Sequence, residues 1–192
     1  MWYNAGLISQ DSGFKRRTHY HYMKYSFSKY EKEDPNFISD LRESKKSVEV
    51  VADWLRSLGK KVNIFEVKER PSVEKMAEYA DDGDLEIVDE LNGSKRIEVK
   101  HRKSLKFSGL KDFPYKTIIV DVCHTFDNAD PKPYAYVILN DTMTTALIVT
   151  TSSSEYWKKV SKRDRFKNRI RYFYECPVEH VKEKKLFTNC KV

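Results

Sequence analysis

Cysteine is scarce in this chain. There are three in 192 residues, Cys123, Cys176 and Cys190, and none stands in a C-x-x-C pair. That excludes a disulfide framework and a zinc ribbon or finger, and it fits a reducing, intracellular setting, with the cytoplasm as the expected location. Long apolar runs are missing as well: no stretch approaches the roughly 20 residues that a membrane span needs, so no membrane partner is expected. The opening residues, MWYNAGLISQDSGFKRR, contain no apolar segment of the kind a secretory signal carries. No internal repeat and no low-complexity tract is present. There is no Gly-rich phosphate loop, no G-x-S-x-G and no H-E-x-x-H. His124 with Asn128 and Asn140 does not form the ββα unit of an HNH nuclease.

Charge and aromatic residues, by contrast, are plentiful. The chain has 36 Lys or Arg against 29 Asp or Glu, a net charge of +7, with 40% hydrophobic and 13% aromatic residues. It is too apolar for a disordered chain, and its basic balance points to a polyanionic partner. The positive charge is clustered. Lys100 to Lys111 holds five Lys/Arg and no acid, and Lys158 to Arg171 holds eight with one acid, Asp164. Trp157, Phe166, Tyr172, Phe173 and Tyr174 are interleaved with the second cluster. These aromatics are expected to enter the core, whereas the clustered charge is expected to meet phosphates.

The length suits one domain with a terminal extension. Residues 1–39 read as an irregular aromatic and basic extension, and residues 40–192 as the folded domain. His19 and His21, two apart, have a spacing that would suit a metal on a strand, but the arm is expected instead to pack on the domain through its aromatics. A helix is expected from about Leu41 to Leu58, with Asp40 and Glu43 as its cap pair and Gly59 as its stop. Leu41, Val48, Val51, Ala52, Leu55 and Leu58 form its apolar stripe. Lys61 to Val67 reads as a strand, Ser72 to Tyr79 as a short helix, and Asp81-Asp82-Gly83 as a turn. Thr117 to Cys123 reads as a buried strand. Tyr134 to Leu139 and Thr145 to Thr151 read as a hairpin. Ser152 with Glu155 reads as a capping box for a helix through about Ser161, and Arg169 to Tyr174 as a late strand.

The most informative element is a hairpin of Asp84 to Glu90 and Lys95 to Arg102. A two-residue Asn92-Gly93 loop would mix apolar and charged residues on each face. A three-residue loop, Leu91-Asn92-Gly93, gathers Leu85, Ile87, Ile97 and Val99 on one face and leaves a polar opposite face, with Gly93 in the left-handed position. It sets Asp84 opposite Lys100 and Glu86 opposite Glu98. A one-residue slip would bury charge, so this parity is expected to hold. Two carboxylates and an ammonium then lie on one face. Oxygen ligands of this kind suit Mg²⁺, and a metal so held can activate water and neutralise charge on a phosphodiester. His101 alternates to the face opposite Lys100.

A helix, a strand, a strand opening with Asp and a strand bearing E-x-K resemble the PD-(D/E)xK nuclease superfamily, the group with restriction-endonuclease-like and Holliday-junction-resolvase-like cores. The matching residues are Asp84 in DDGDLEIV and Glu98 with Lys100 in RIEVKHR, and the resemblance covers roughly residues 41–151. It implies an α/β fold, a mixed sheet flanked by helices in αβββαβ order. It also implies Mg²⁺-dependent cleavage of DNA leaving 5′-phosphate ends, with Mn²⁺ as a substitute. Asp84 and Glu98 would be metal ligands, the Val99 carbonyl a third, and Lys100 the catalytic lysine. Many members add a glutamate from the first helix. Glu49, roughly 60° from Ala52 around such a helix, is placed either to reach the site or to remain a solvated side chain. Asp82 shares the parity of Asp84 and competes with it as the ligand. No proline precedes Asp84.

The reading is therefore a metal-dependent deoxyribonuclease acting on duplex or branched DNA, with a homodimer as a plausible assembly for two-strand cleavage. Arg102, Lys103 and Lys106 are expected at the backbone near the scissile phosphate. Lys158, Lys159, Lys162, Arg163 and Arg165 are expected at flanking phosphates. The alternatives are a catalytically inactive nucleic-acid-binding subunit of a DNA-processing assembly, and a small basic structural protein.

Overall fold

The structure, a computed structural model, describes residues 35–65, 83–164 and 169–186. Most of the N-terminal extension, the helix expected over 72–79, Asp81, Asp82, Arg165, Phe166 and Cys190 lie outside the described residues. The first element is α1, Pro35–Ser57. Its start is earlier than the cap pair suggested, because Pro35 has the fixed φ and missing N–H that suit a first helical turn. Residues 35–39 are thus helical, and Asp40 and Glu43 lie inside the helix. The end is as expected. Gly59, at φ +75, gives its N–H to the Arg56 carbonyl at 2.8 Å, and Lys60 N–H reaches the Leu55 carbonyl at 3.1 Å. That is the double bond of a Schellman stop, and it needs the left-handed conformation glycine tolerates.

Strands β1 (Lys61–Ile64), β2 (Leu85–Val88) and β3 (Lys95–His101) form an antiparallel meander. A crossover then carries β4 (Thr117–Val122) and the short α2 (Cys123–Asn128). The chain returns as β5 (Ala135–Leu139), parallel to β3, and turns into β6 (Thr145–Thr150). A single 3₁₀ turn, Thr151–Tyr156, leads to β7 (Lys158–Asp164), β8 (Arg169–Pro177) and β9 (Lys182–Lys185). The larger sheet has six strands in the order β1-β2-β3-β5-β6-β9, and the smaller has three in the order β4-β8-β7.

The protein is therefore α/β with a mixed sheet. Alternation decides what each face meets. Leu85, Ile97, Val99, Ala135, Val137 and Leu139 pack against Val48, Val51, Ala52 and Leu55 of α1. On the other face Tyr136, Ile138, Leu147 and Val149 pack against Ile118, Val120, Phe126, Trp157 and Cys176. A side chain such as Leu85, with no exposure, contributes about 2 kcal/mol by leaving water. The second face is thus covered by a sheet as well as the short α2, rather than by the long helix that an αβββαβ order suggests. Among the described residues no helix is long and apolar enough to cross a membrane.

Two expectations need correction. The capping box at Ser152 and Glu155 produces only the 3₁₀ turn. Ser153 Oγ donates to the Thr150 carbonyl at 2.8 Å and accepts the Trp157 indole N–H at 3.1 Å, and Trp157 enters the core. The basic run from Lys158 is a strand, because it pairs with the aromatic and β-branched run of β8 from Lys158↔Glu175 to Asp164↔Arg169. No apolar stripe at helical spacing opposed that pairing. The second correction concerns the β2–β3 register. The ladder runs Leu85↔Ile97, Glu86↔Arg96 and Ile87↔Lys95. The connection is wider than three residues because Asp89 Oδ1 accepts the N–H groups of Leu91 and Asn92, at 3.2 and 3.0 Å, and holds them off the ladder. Gly93 does take a positive φ, 78°. The pairing is shifted by two residues, so parity survives. Extended by one step, the ladder sets Asp84 beside Glu98, not Lys100.

Candidate functional site

The polar face of β3 turns toward the smaller sheet, and three side chains on it alternate in charge: Arg96, Glu98 and Lys100. Arg96 grips Glu98 Oε1 through Nε at 3.1 Å and Nη2 at 2.7 Å. Gly83 makes room for this arginine. The residue has φ +99, which favours glycine, and a Cβ built there would come within 2.5 Å of Arg96 Nε and push the arginine side chain aside. Asp84 follows. Its Oδ2 accepts the Val99 N–H at 2.6 Å, which fixes the start of β2 against the strand that carries Glu98.

Lys100 is held by a residue that the sequence reading did not single out. Its Nζ lies 3.2 Å from Asp121 Oδ1. The Asp121 carboxylate also accepts the Tyr136 hydroxyl at 3.1 Å and its own neighbour's N–H, that of Val122, at 2.8 Å. Lys100 Nζ stands 5.4 Å from the Tyr136 ring centroid. Asp121 reaches this position through a bulge. The β4–β8 register shifts between Ile119 and Asp121, so Val120 and Asp121 are both buried although they are neighbours. A bulge rotates the strand and re-aims a side chain in this way. The available signal was a charged residue inside the β-branched run TIIVDV.

Burial, reinforced by the Asp121 charge, pushes the Tyr136 hydroxyl far above its ordinary pKa of 10.0. A raised pKa means that the folded state holds a proton that the unfolded chain releases. The stabilisation is complete below about pH 10 and is lost as pH rises beyond it. Alkaline unfolding followed by circular dichroism is therefore expected to begin near pH 10, and Tyr136→Phe is expected to flatten that limb. An unchanged limb in the variant would remove Tyr136 as its source. Burial holds the Arg102 pKa below its ordinary value, and the nearby Asp121 charge offsets only part of that.

The remaining candidates are dispersed. Glu49 is exposed on α1, the helix that covers the opposite face of the sheet, and is not brought together with Asp84 and Glu98. His101 turns away from Lys100, as expected, and its Nε2 lies 3.2 Å from the Asp141 carbonyl. Arg102 is half-buried and directs Nη2 to the Ile119 carbonyl at 3.4 Å. Lys103 pairs with Glu43. Lys106 is exposed at the rim of an open cleft with Asn140, Thr142, Thr144 and Lys185. Lys158, Lys159, Lys162 and Arg163 are exposed along β7, and Lys162 also pairs with Glu175.

Asp84 and Glu98 would be the carboxylates offered to Mg²⁺, which takes one or two and completes its shell with water and phosphate oxygens; in this structure Glu98 Oε1 is held by Arg96 and Asp84 Oδ2 by the Val99 N–H. Among the described residues no group of three or more His, Cys, Asp or Glu is arranged to hold an ion. Comparison with protein-family models, curated proteins and solved structures finds no match for this chain.

Proposed function

We propose that this protein is a Mg²⁺-dependent deoxyribonuclease of the PD-(D/E)xK kind, in which Asp84 and Glu98 hold the metal and Lys100 acts at the phosphate. The observation that carries the reading is the shared polar face of β2 and β3. Asp84, one residue before β2, accepts the Val99 N–H next to Glu98, and Lys100, two residues beyond Glu98, is clamped by buried Asp121. The meander β1-β2-β3 with a parallel β5 beside it supports a restriction-endonuclease-like core.

The metal, when bound, would supply a water of lowered pKa and a counter-charge for the phosphate. The chain's own residues do the rest. Asp121 and Tyr136 hold the Lys100 ammonium in place, so it donates to a non-bridging oxygen or to the attacking water with little reorganisation. Arg96 keeps Glu98 turned along the face and adds positive charge beside the carboxylate pair. The Val99 N–H is taken by Asp84, which leaves the Val99 carbonyl as the backbone group for the metal.

A second reading has its own support. Glu98 is paired with Arg96, Asp84 with the Val99 amide and Lys100 with Asp121, the closed arrangement expected of a nucleic-acid-binding subunit without catalysis. Incubation with duplex, single-stranded, flapped and branched DNAs in Mg²⁺ separates the two. Cleavage in Mg²⁺ that EDTA abolishes is the expected result; binding of the same DNAs without cleavage in Mg²⁺ or Mn²⁺ would leave the second reading standing.

A further inference from the structure

We infer that the β7–β8 arm is a platform for unpaired nucleotides, with Tyr172 stacking on a base and Lys159 taking an adjoining phosphate. The inference rests on the nucleic-acid reading above and names the class of substrate segment that this surface holds.

Register assigns the faces. Lys159 is opposite Tyr174, Ser161 opposite Tyr172 and Arg163 opposite Ile170, while Asp121 is opposite Tyr174 across the same sheet. Side chains opposite one another share a face. Tyr172, Ser161 and Lys159 therefore stand on the face that carries Asp121, the face turned toward the proposed site. At Tyr174 this face is filled: the ring packs on Phe126 and Trp157, with centroids 5.5 and 6.0 Å away, and its hydroxyl donates to Asp127 at 3.0 Å. One step outward the same face is open, and Tyr172 is 56% exposed and Ile170 71%.

Sequence reasoning sent all five aromatics to the core. Trp157 obeys, and Tyr172 does not. An exposed ring in a basic strand pair has the chemistry of a base-stacking surface. Lys159 Nζ lies over the Tyr172 ring, 5.2 Å from its centroid, so a base stacking on that face would move the ammonium off the ring toward the adjoining phosphate. Arg163, opposite Ile170, adds positive charge on this face, while Lys158, Lys162 and Arg171 stand on the opposite face, Lys162 paired with Glu175 and Arg171 over the Phe173 ring at 5.9 Å. Phosphate contacts alone do not require unpaired bases. Aromatic stacking requires bases whose faces are open, so the combination favours a single-stranded or frayed segment.

The test uses the full chain in EDTA, with labelled oligothymidylate and a duplex of equal length, read by fluorescence anisotropy. Tyr172→Ala is expected to weaken oligothymidylate binding about 10-fold or more while changing duplex binding less than about 2-fold. Tyr172→Phe should bind as the parent does. The log-affinity against log-salt slope should stay the same in Tyr172→Ala and flatten by about 0.7 in Lys159→Ala. Equal loss on both DNAs, no loss on either, a Phe variant as weak as the Ala variant, or a parent protein that binds neither DNA would each overturn the inference. Because EDTA prevents metal-dependent cleavage, these outcomes are independent of whether the protein is a nuclease.

Discussion

Replacing Asp121 with alanine is expected to lower the unfolding midpoint by roughly 6–12 °C, the shift that about 3 kcal/mol produces in a domain of this size. Asp121 has a side chain only 9% exposed and partners Lys100, itself 25% exposed. The variant would leave the ammonium without its counter-charge and the Tyr136 hydroxyl without its acceptor, in a core where Tyr136 has no exposure at all. Breaking a buried pair from one side costs about 3–5 kcal/mol, and the partial exposure of Lys100 places the expectation at the lower end. Asp121→Asn keeps an acceptor for Tyr136 and should lose less. Thermal unfolding by circular dichroism reads both variants. A midpoint within about 2 °C of the parent, less than 1 kcal/mol at this size, would mean that the bulge in β4 does not serve this carboxylate.

The second large effect separates the two roles of Lys100. Lys100→Met keeps an unbranched side chain beside Tyr136 but removes the ammonium. Cleavage is expected to fall at least about 100-fold, the scale for losing one preorganised donor to a developing oxyanion. Stability should also fall, because Asp121 is left charged and unpaired. The double variant Lys100→Met/Asp121→Asn removes that orphaned charge. It should regain most of the lost stability and none of the cleavage. If the double variant regains both, Lys100 serves only as the partner of Asp121, and its role as hydrogen-bond donor at the phosphate or water fails. DNA binding in EDTA should be nearly unchanged in both, since a group acting only in the transition state contributes little to ground-state binding.

Much of the architecture was legible where one physical rule acted alone. The stripe of Val48, Val51, Ala52 and Leu55 and the glycine at 59 marked α1 and its end. The alternation of Ile97 and Val99 with Glu98 and Lys100 divided β3 into an apolar and a polar face, and that division survives the shifted register because the shift is by two. Three features escaped these simple rules. Asp89 widens the hairpin turn by capping it, and an aspartate before Asn-Gly gives no measure of how many residues it will hold off the ladder. The basic run from Lys158 takes its conformation from β8, a partner that begins beyond residues 165–168. Asp121 enters the site only because β4 carries an extra residue against β8, and strict alternation cannot show a bulge. The missed carboxylate and the missed strand therefore share a cause, since both depend on β8.

The most direct test of the account is single-turnover cleavage of the best DNA in the panel by the parent protein and by Glu98→Gln, each in Mg²⁺ and in EDTA. Glu98→Gln is nearly isosteric and keeps an acceptor for Arg96, so the fold should remain. The parent should give Mg²⁺-dependent products with 5′-phosphate ends, and Glu98→Gln should cleave at least about 100-fold more slowly. Cleavage by Glu98→Gln at the parent rate, or parent activity that persists in EDTA, would contradict the proposed site.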